Sequence, residues 1–222
     1  DRQAALRDVV SRCIHGVDRN PMAVELAKVA LWIESVSPGQ PLGFLDANIR
    51  CGDALLGVFR LDALEEGVPD EAYKPLTGDD KATASGLKKL NKAERDAGLL
   101  RLAIEPDKLS RAFRRFHAMP ETTPREVAAR AAEYARIRQS PDWQAMRQAC
   151  DAYVAAFLLP KPALPSPQAK PLVPTTRHIR DILSGGMTLG TGALQGELAA
   201  AVDGAAYATR VLHWPIEFPD VL

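Results

Sequence analysis

The stretch "CIHGVDRNPMAVELAKVALWIE", residues 13–34, constrains the fold more than any other part of the chain. A β-prone run, CIHGV, leads to Asp18, and Asn20-Pro21 follows at once. An Asn side chain can accept one of the backbone N–H groups that a helix start leaves unpaired, and Pro fits the first turn because it has no N–H to satisfy. Met22, Leu26, Val29, Ala30 and Ile33 then recur at steps of three and four, which predicts a helix with that apolar face on a core, ending before Pro38-Gly39. After "QPLGFLDA", residues 49–51 of "NIRCGDALLG" form a second β-prone run that stops at Gly52-Asp53. Strand, helix and strand in this order make a β-α-β unit, whose right-handed crossover sets the two strands parallel.

The rest of the chain has a different texture. Residues 1–12 place Leu6, Val9 and Val10 at helical spacing and end in Arg12, so they read as the tail of a helix. From about residue 60 to 208 strand signals nearly vanish, and helical periodicity appears in 87–103, 106–118, 124–139 and 141–158. The proline-rich "LLPKPALPSPQAKPLVP", 158–174, predicts an extended, mobile connector. "TTRHIRDIL" restarts a helix with Thr175 or Thr176 as cap, and a Gly-rich turn precedes a further helix over about 194–212. The division expected is a strand-helix-strand unit over 1–59, a mainly helical insertion over 60–208, and a segment over 209–222 that returns to the first unit.

At 222 residues and 46% hydrophobic content, such a chain can bury a sizeable core and is not expected to be disordered throughout. Cys13, Cys51 and Cys150 are far apart and form no C-x-x-C pair, so they read as buried thiols in a reducing compartment. No apolar run reaches the ~20 residues of a bilayer span. The polar start at Asp1, without Met or a signal peptide, predicts a cytoplasmic protein met as an internal fragment, with no membrane partner. Charge is uneven although its sum is zero. Basic residues number eight against fourteen acidic ones in 1–80, fourteen against seven in 81–138, and six against seven in 139–222. A basic middle segment fits either one surface facing a polyanion or a solvated helical face.

Asp18 and Asp53 fall at the carboxyl ends of the two expected strands, where open parallel sheets bind their ligands. One carboxylate there can accept from a ribose diol, and its neighbour from an adenine amino group. Two such acids on adjacent strands form a nucleoside cradle. Asp also fills turns and caps helices, and that reading stands beside the first.

"CIHGVDRNPMAVELAKVALWIES", "PLGFLDANIRCGDALLG" and "HWPIEFPDVL" resemble stretches of the large bacterial DNA adenine-N6 methyltransferases, in particular single-chain restriction-modification enzymes and related phage-defence methylases. The resemblance covers both ends of the chain and leaves the middle unmatched. It implies an α/β fold: a partial class I, Rossmann-like methyltransferase core carrying a long, mainly α-helical insertion. It implies that Asp18 holds the ribose of S-adenosyl-L-methionine with the stem of Arg19 near the adenine ring, and that Asp53 meets the adenine amino group with Ala54 beside the ring. It implies transfer of the methyl group to adenine N6 of duplex DNA, with the base flipped out of the stack.

Two family elements are missing from 1–222. No Asp-Pro-x-x-Gly-x-Gly loop precedes Cys13, and no Asn-Pro-Pro-aromatic motif follows the His213–Pro219 stretch. The resemblance therefore implies that remaining core segments are required, that residues 1–222 alone are inactive, and that none of them is a catalytic group. Two open-edged strands are also expected to leave Ile14, Val17, Ile49 and Leu55 exposed.

Other motifs read as structural. "GTGALQG", 190–196, follows helix and turn signals rather than the strand a dinucleotide loop needs. His15, His117, His178 and His213 lack metal-ligand spacing. Trp32, Trp143 and Trp214 read as packing residues. Arg111, Arg114 and Arg115 share a helix with Phe113 and Phe116, and with Lys88, Lys89 and Lys92 they form the candidate phosphate-facing set. Two further readings remain: a non-catalytic DNA- or protein-docking helical module on a nucleotide-binding core, and a Rossmann-type nucleotide binder that is not a methyltransferase.

Overall fold

The computed structural model describes residues 2–97, 106–166, 168–184, 194 and 196–221. Helix α1 (Arg2–Arg12) leads into strand β1 (Gly16–Asp18), helix α2 (Pro21–Ser35) and strand β2 (Ile49–Cys51). The start of α2 forms as its sequence dictates, with Asn20 Oδ1 accepting from Met22 N–H at 3.0 Å and Pro21 in the first turn. β1 and β2 pair in parallel, Gly16 opposite Ile49, Val17 opposite Arg50 and Asp18 opposite Cys51. Pairing starts later than the apolar run CIHGV, where Gly16 N–H reaches the Asn48 carbonyl at 2.9 Å. Among the described residues the sheet has two strands, and an isolated parallel bridge sets Asp53 against Val211. The chain is thus mostly helical around a small parallel sheet.

The apolar stripe of α2 faces solvent rather than a core: Met22 is 64%, Leu26 62% and Ile33 68% exposed. The helix buries its other face, through Val24, Lys28 and Ser35, against α1, β1 and β2. Two strands and one helix cover only that face, so periodicity located a real stripe and misplaced what covers it. Lys28 is kept charged in its buried position by Glu25 at 2.6 Å and Asp46 at 2.8 Å. Of the residues expected to be exposed at the strands, Ile49 is buried, Ile14 and Val17 are half-buried, and Leu55 alone stands out at 87%. Cys13 and Cys51 are exposed, contrary to expectation, and only Cys150 is buried.

After β2 the chain is helical: α3 (Asp62–Glu66), a 3-10 turn (Asp70–Tyr73), α4 (Lys81–Asp96), α5 (Pro106–His117), α6 (Pro124–Arg138), α7 (Pro141–Leu158), α8 (Thr176–Leu183), α9 (Gly196–Thr209) and α10 (Trp214–Glu217). Side-chain caps set several starts: Asp80 accepts from Thr83 N–H, Ser140 from Trp143 N–H, and Thr123 forms a reciprocal box with Glu126. The Asp80 cap starts α4 six residues before the periodic stretch expected from 87. α7 is the central post. Its small residues Ala149, Cys150, Ala152, Ala155 and Ala156 are buried and let α8 and α9 approach closely. A second core joins the α5–α6 pair to the loop before β2 through Phe113, Phe116, Tyr134, Ile137 and Ala47.

The proline-rich segment is extended, yet both its ends are fixed. Lys161 is fully buried, its N–H donating to Asp79 Oδ1 and its carbonyl accepting from Asp80 N–H, both at 2.8 Å, and Val173 is buried at the far end. Tyr73 OH donates to the Pro174 carbonyl at 2.8 Å. The expectation of a mobile connector is therefore corrected at these anchors. Thr175 precedes α8 as its N-cap, with His178 Nδ1 accepting from Thr175 N–H at 3.1 Å. The "GTGALQG" loop lies outside the described residues apart from Leu194 and Gly196.

Segment 210–218 runs back alongside β2. Leu212 N–H donates to the Leu56 carbonyl at 3.0 Å, and Val58 N–H to His213 Nδ1 at 3.1 Å. Gly52 and Gly57 make room for it: a Cβ on Gly57 would lie 1.7 Å from the Leu212 carbonyl oxygen, and one on Gly52 2.8 Å from Leu212 Cβ. Val211 and Ile216 enter the α7 core, so strand unit, helical region and return segment share packed surfaces.

Candidate functional site

Parallel pairing brings the ends of β1 and β2 together, with Asp18 directly opposite Cys51 and the Asp18 carbonyl accepting from Gly52 N–H at 3.0 Å. Each candidate carboxylate spends one oxygen on its own turn. Asp18 Oδ1 accepts from Asn20 N–H at 2.6 Å, and Asp53 Oδ1 from Leu55 N–H at 3.0 Å. Both acids thus are turn residues, as the plainer sequence reading held. Their other oxygens remain: Asp18 Oδ2 has no hydrogen-bond partner among the described residues, and Asp53 Oδ2 has only Arg19 Nη1, at 3.6 Å. A carboxylate oxygen has lone pairs to spare, so both acids can accept from an incoming donor without giving up their turns.

Arg19 lies between them with its side chain 64% exposed, reaching toward Asp53 from the β1 end. The Ala54 carbonyl accepts from Trp214 Nε1 at 3.0 Å, which pins the turn after β2 to the return segment. Asp18, Arg19, Asp53 and Ala54 therefore form one shelf at the carboxyl end of the sheet, next to the 87% exposed Leu55. The shelf's spare acceptor capacity suits hydroxyl or amino donors. Arg210, for which the sequence offers no signal, also belongs to the shelf. Its carbonyl accepts from Asp53 N–H at 2.7 Å and its guanidinium donates to the Arg19 carbonyl.

Behind the shelf, buried charge fastens the return segment. Glu217 pairs with Arg138 Nη1 at 2.6 Å and Arg50 Nε at 2.9 Å, and the Arg138 guanidinium also lies 4.2 Å from the Trp143 ring centre. Burial pushes the Glu217 carboxyl up, but the two guanidinium groups outweigh it and hold the group below the usual carboxylate value. His213 accepts the Val58 N–H at Nδ1, which fixes its proton on Nε2, where it meets Asp151 Oδ1 at 2.9 Å.

The histidines do not gather. His15 and His117 touch edge to face at 6.1 Å, and burial lowers the His117 pKa although Asp220, 3.6 Å away, opposes that shift. Among the described residues no group of three or more His, Cys, Asp or Glu is placed to hold a metal ion, and no helix is long and apolar enough to cross a membrane. The basic set divides between two supports. Lys88, Lys89 and Lys92 ride on α4, which packs on α8, and Lys88 faces Asp70 at 3.6 Å. Arg111, Arg114 and Arg115 are exposed on α5, which packs on α6, while Phe113 and Phe116 are buried core residues rather than base-stacking groups. The three tryptophans are fasteners: Trp32 Nε1 donates to the Gly43 carbonyl at 2.8 Å and Trp143 Nε1 to the Ile216 carbonyl at 3.2 Å, beside the Trp214 bond already described. No protein-family model, curated protein or solved structure matches this chain.

Proposed function

We propose that the shelf at the ends of β1 and β2 holds the adenosine half of S-adenosyl-L-methionine in a DNA adenine-N6 methyltransferase. One observation carries the reading: two carboxylates at the ends of adjacent parallel strands each use one oxygen in their own turn, which leaves Asp18 Oδ2 without a partner among the described residues and Asp53 Oδ2 with only Arg19 at 3.6 Å. Asp18 takes the ribose hydroxyls and Asp53 the adenine amino group, with Arg19 and Ala54 beside the ring. The bound cofactor supplies an electrophilic methyl group. This chain's part is to bind and orient its nucleoside, and no proton transfer is assigned to the four residues.

Two features support a sheet that continues beyond β1, as a class I core requires. The outer edge of β1 has no strand partner among the described residues, and the neighbouring α2 presents Met22, Leu26, Val29 and Ile33 to solvent. Further core segments on that side would cover both.

The test uses the full-length protein with methyl-labelled S-adenosylmethionine and adenine-containing duplex DNA. Label is expected at adenine N6, and it should fall sharply in Asp18→Ala. Absence of cofactor binding, or label on cytosine alone, would sink the proposal. A second reading draws on the exposed Lys89, Lys92, Arg114 and Arg115: the helical region is a docking module that meets phosphates without taking part in chemistry. Salt-dependent DNA binding that survives Asp18→Ala, in a protein that transfers no methyl, would favour it.

A further inference from the structure

Among the described residues Arg210 is the one non-glycine residue with a positive φ, at +53°. An L side chain in the left-handed region costs roughly 1–2 kcal/mol, and glycine adopts the same backbone without that penalty. The position nevertheless carries arginine. Its two ends show what an arginine achieves there and a glycine would not. The left-handed turn ends α9 and directs the Arg210 carbonyl to Asp53 N–H at 2.7 Å, on the loop after β2. The side chain turns the other way, and its Nη1 donates to the Arg19 carbonyl, on the loop after β1. The two loops hold the carboxylates of the shelf, and the Asp18–Gly52 backbone bond, a Cys51 Sγ contact to the Arg19 carbonyl at 3.7 Å and the Arg19–Asp53 pair at 3.6 Å also link them. Arg210 is thus a clasp across the shelf, with backbone on one jaw and side chain on the other.

We propose that Arg210 is a positioning residue that fixes the spacing between Asp18 and Asp53, and so couples the end of α9 to cofactor affinity; this rests on reading the shelf as the cofactor site. Strain at the clasp is retained because the site needs both of its ends. Glycine keeps the backbone jaw and removes the side-chain jaw. In Arg210→Gly the thermal midpoint of the ligand-free protein should stay or rise, while hydrogen exchange at the Asn20 and Gly52 amides quickens. Affinity for S-adenosylmethionine, read by calorimetry, should fall about tenfold, the scale of one hydrogen bond to a charged group. Arg210→Lys, which keeps a donor able to reach the Arg19 carbonyl, should recover part of that loss.

Asp18→Ala is the control for the underlying reading. If Asp18→Ala binds weakly and Arg210→Gly binds like wild type, the clasp is wrong and the site stands. If Asp18→Ala binds like wild type, the site itself is wrong, and the exchange rates then decide the clasp alone. Unchanged exchange at Asn20 and Gly52 overturns it in either case. A lowered midpoint in Arg210→Gly also overturns it, since Arg210 would then be serving the fold rather than the shelf.

Discussion

Replacing Glu217 by alanine tests whether the return segment is held by charge or only by apolar packing. The carboxylate side chain is 11% exposed and sits between Arg138 at 2.6 Å and Arg50 at 2.9 Å, whose side chains are 25% and 20% exposed. Removing one member of a buried ion group costs about 3–5 kcal/mol, because the charges left behind lose their partner. Both arginines keep some access to water, and each stays against the Tyr134 ring, which places the expectation near the lower end, about 3 kcal/mol. For a chain of this size that corresponds to a drop of roughly 6–12 °C in thermal midpoint.

The assay is a urea titration followed by tryptophan fluorescence, since Trp143 lies under Arg138 and donates to the Ile216 carbonyl. The pH dependence supplies a second readout. Glu217 is held below its ordinary value of 4.5, so its contribution is fully present above that value and is lost as pH falls through the lower, folded one. Glu217→Gln should remove that acid-side loss while costing only about 1–2 kcal/mol at neutral pH. An alanine variant within 1 kcal/mol of wild type, or an unaltered acid limb in the glutamine variant, would refute the reasoning.

Asp18→Ala and Asp53→Ala should each weaken S-adenosylmethionine binding by about 1–3 kcal/mol, the second also losing preference for adenine over other bases; unchanged calorimetric affinity for both ends the assignment. Gly57→Ala should lower stability by about 2–3 kcal/mol, because its Cβ meets backbone that cannot step aside. Gly86→Ala, in the middle of α4 with open space around it, should instead raise stability by about 0.5–1 kcal/mol, and denaturation midpoints that move together would contradict both. If the basic helices meet phosphates, neutralising Lys89, Lys92, Arg114 and Arg115 should weaken DNA binding for all sequences alike and flatten its salt slope by about 0.9 per lost contact; an unaltered slope identifies a solvated face.

What the sequence revealed was local. The cap at Asn20, the parallel β1–β2 pair and the adjacency of Asp18 and Asp53 follow from spacing within a single β-α-β unit, where few arrangements are open to the chain. The orientation of α2 did not follow, because periodicity finds a stripe and says nothing of what will cover it. Glu217 and Arg138 are 79 positions apart, and both are ordinary charged residues until folding joins them. In the sequence Gly52 reads only as the end of the second strand and Gly57 carries no reading; the need for glycine at both appears only when residues 210–213 dock against them. Arg210 left no mark, since a left-handed turn is inferred from glycine or asparagine and this one carries neither. The connector's prolines announced extension correctly, but Lys161 and Val173 show that an extended segment can be bolted at both ends.

The bond from Val58 N–H to His213 Nδ1 closes a loop of 155 residues, and Asp53 waits on Arg210 in the same way. The entropy of closing a flexible loop grows as about (3/2)RT ln n, so these contacts are costly to make early and become cheaper once α7, α8 and α9 have already drawn the ends together. The order of folding follows. β1, α2 and β2 can meet through short connections, and the α7–α8 pair through its own. The turn that carries Asp53 is completed only when residues 210–213 have been made and have docked. Pulsed hydrogen exchange during refolding should then find the Asp53 and Val58 amides protected after those of α7, and simultaneous protection would contradict this order. A chain cut before Arg210 would lack both the carbonyl that accepts from Asp53 N–H and the guanidinium that reaches the Arg19 carbonyl, so the turn after β2 would stay without that support.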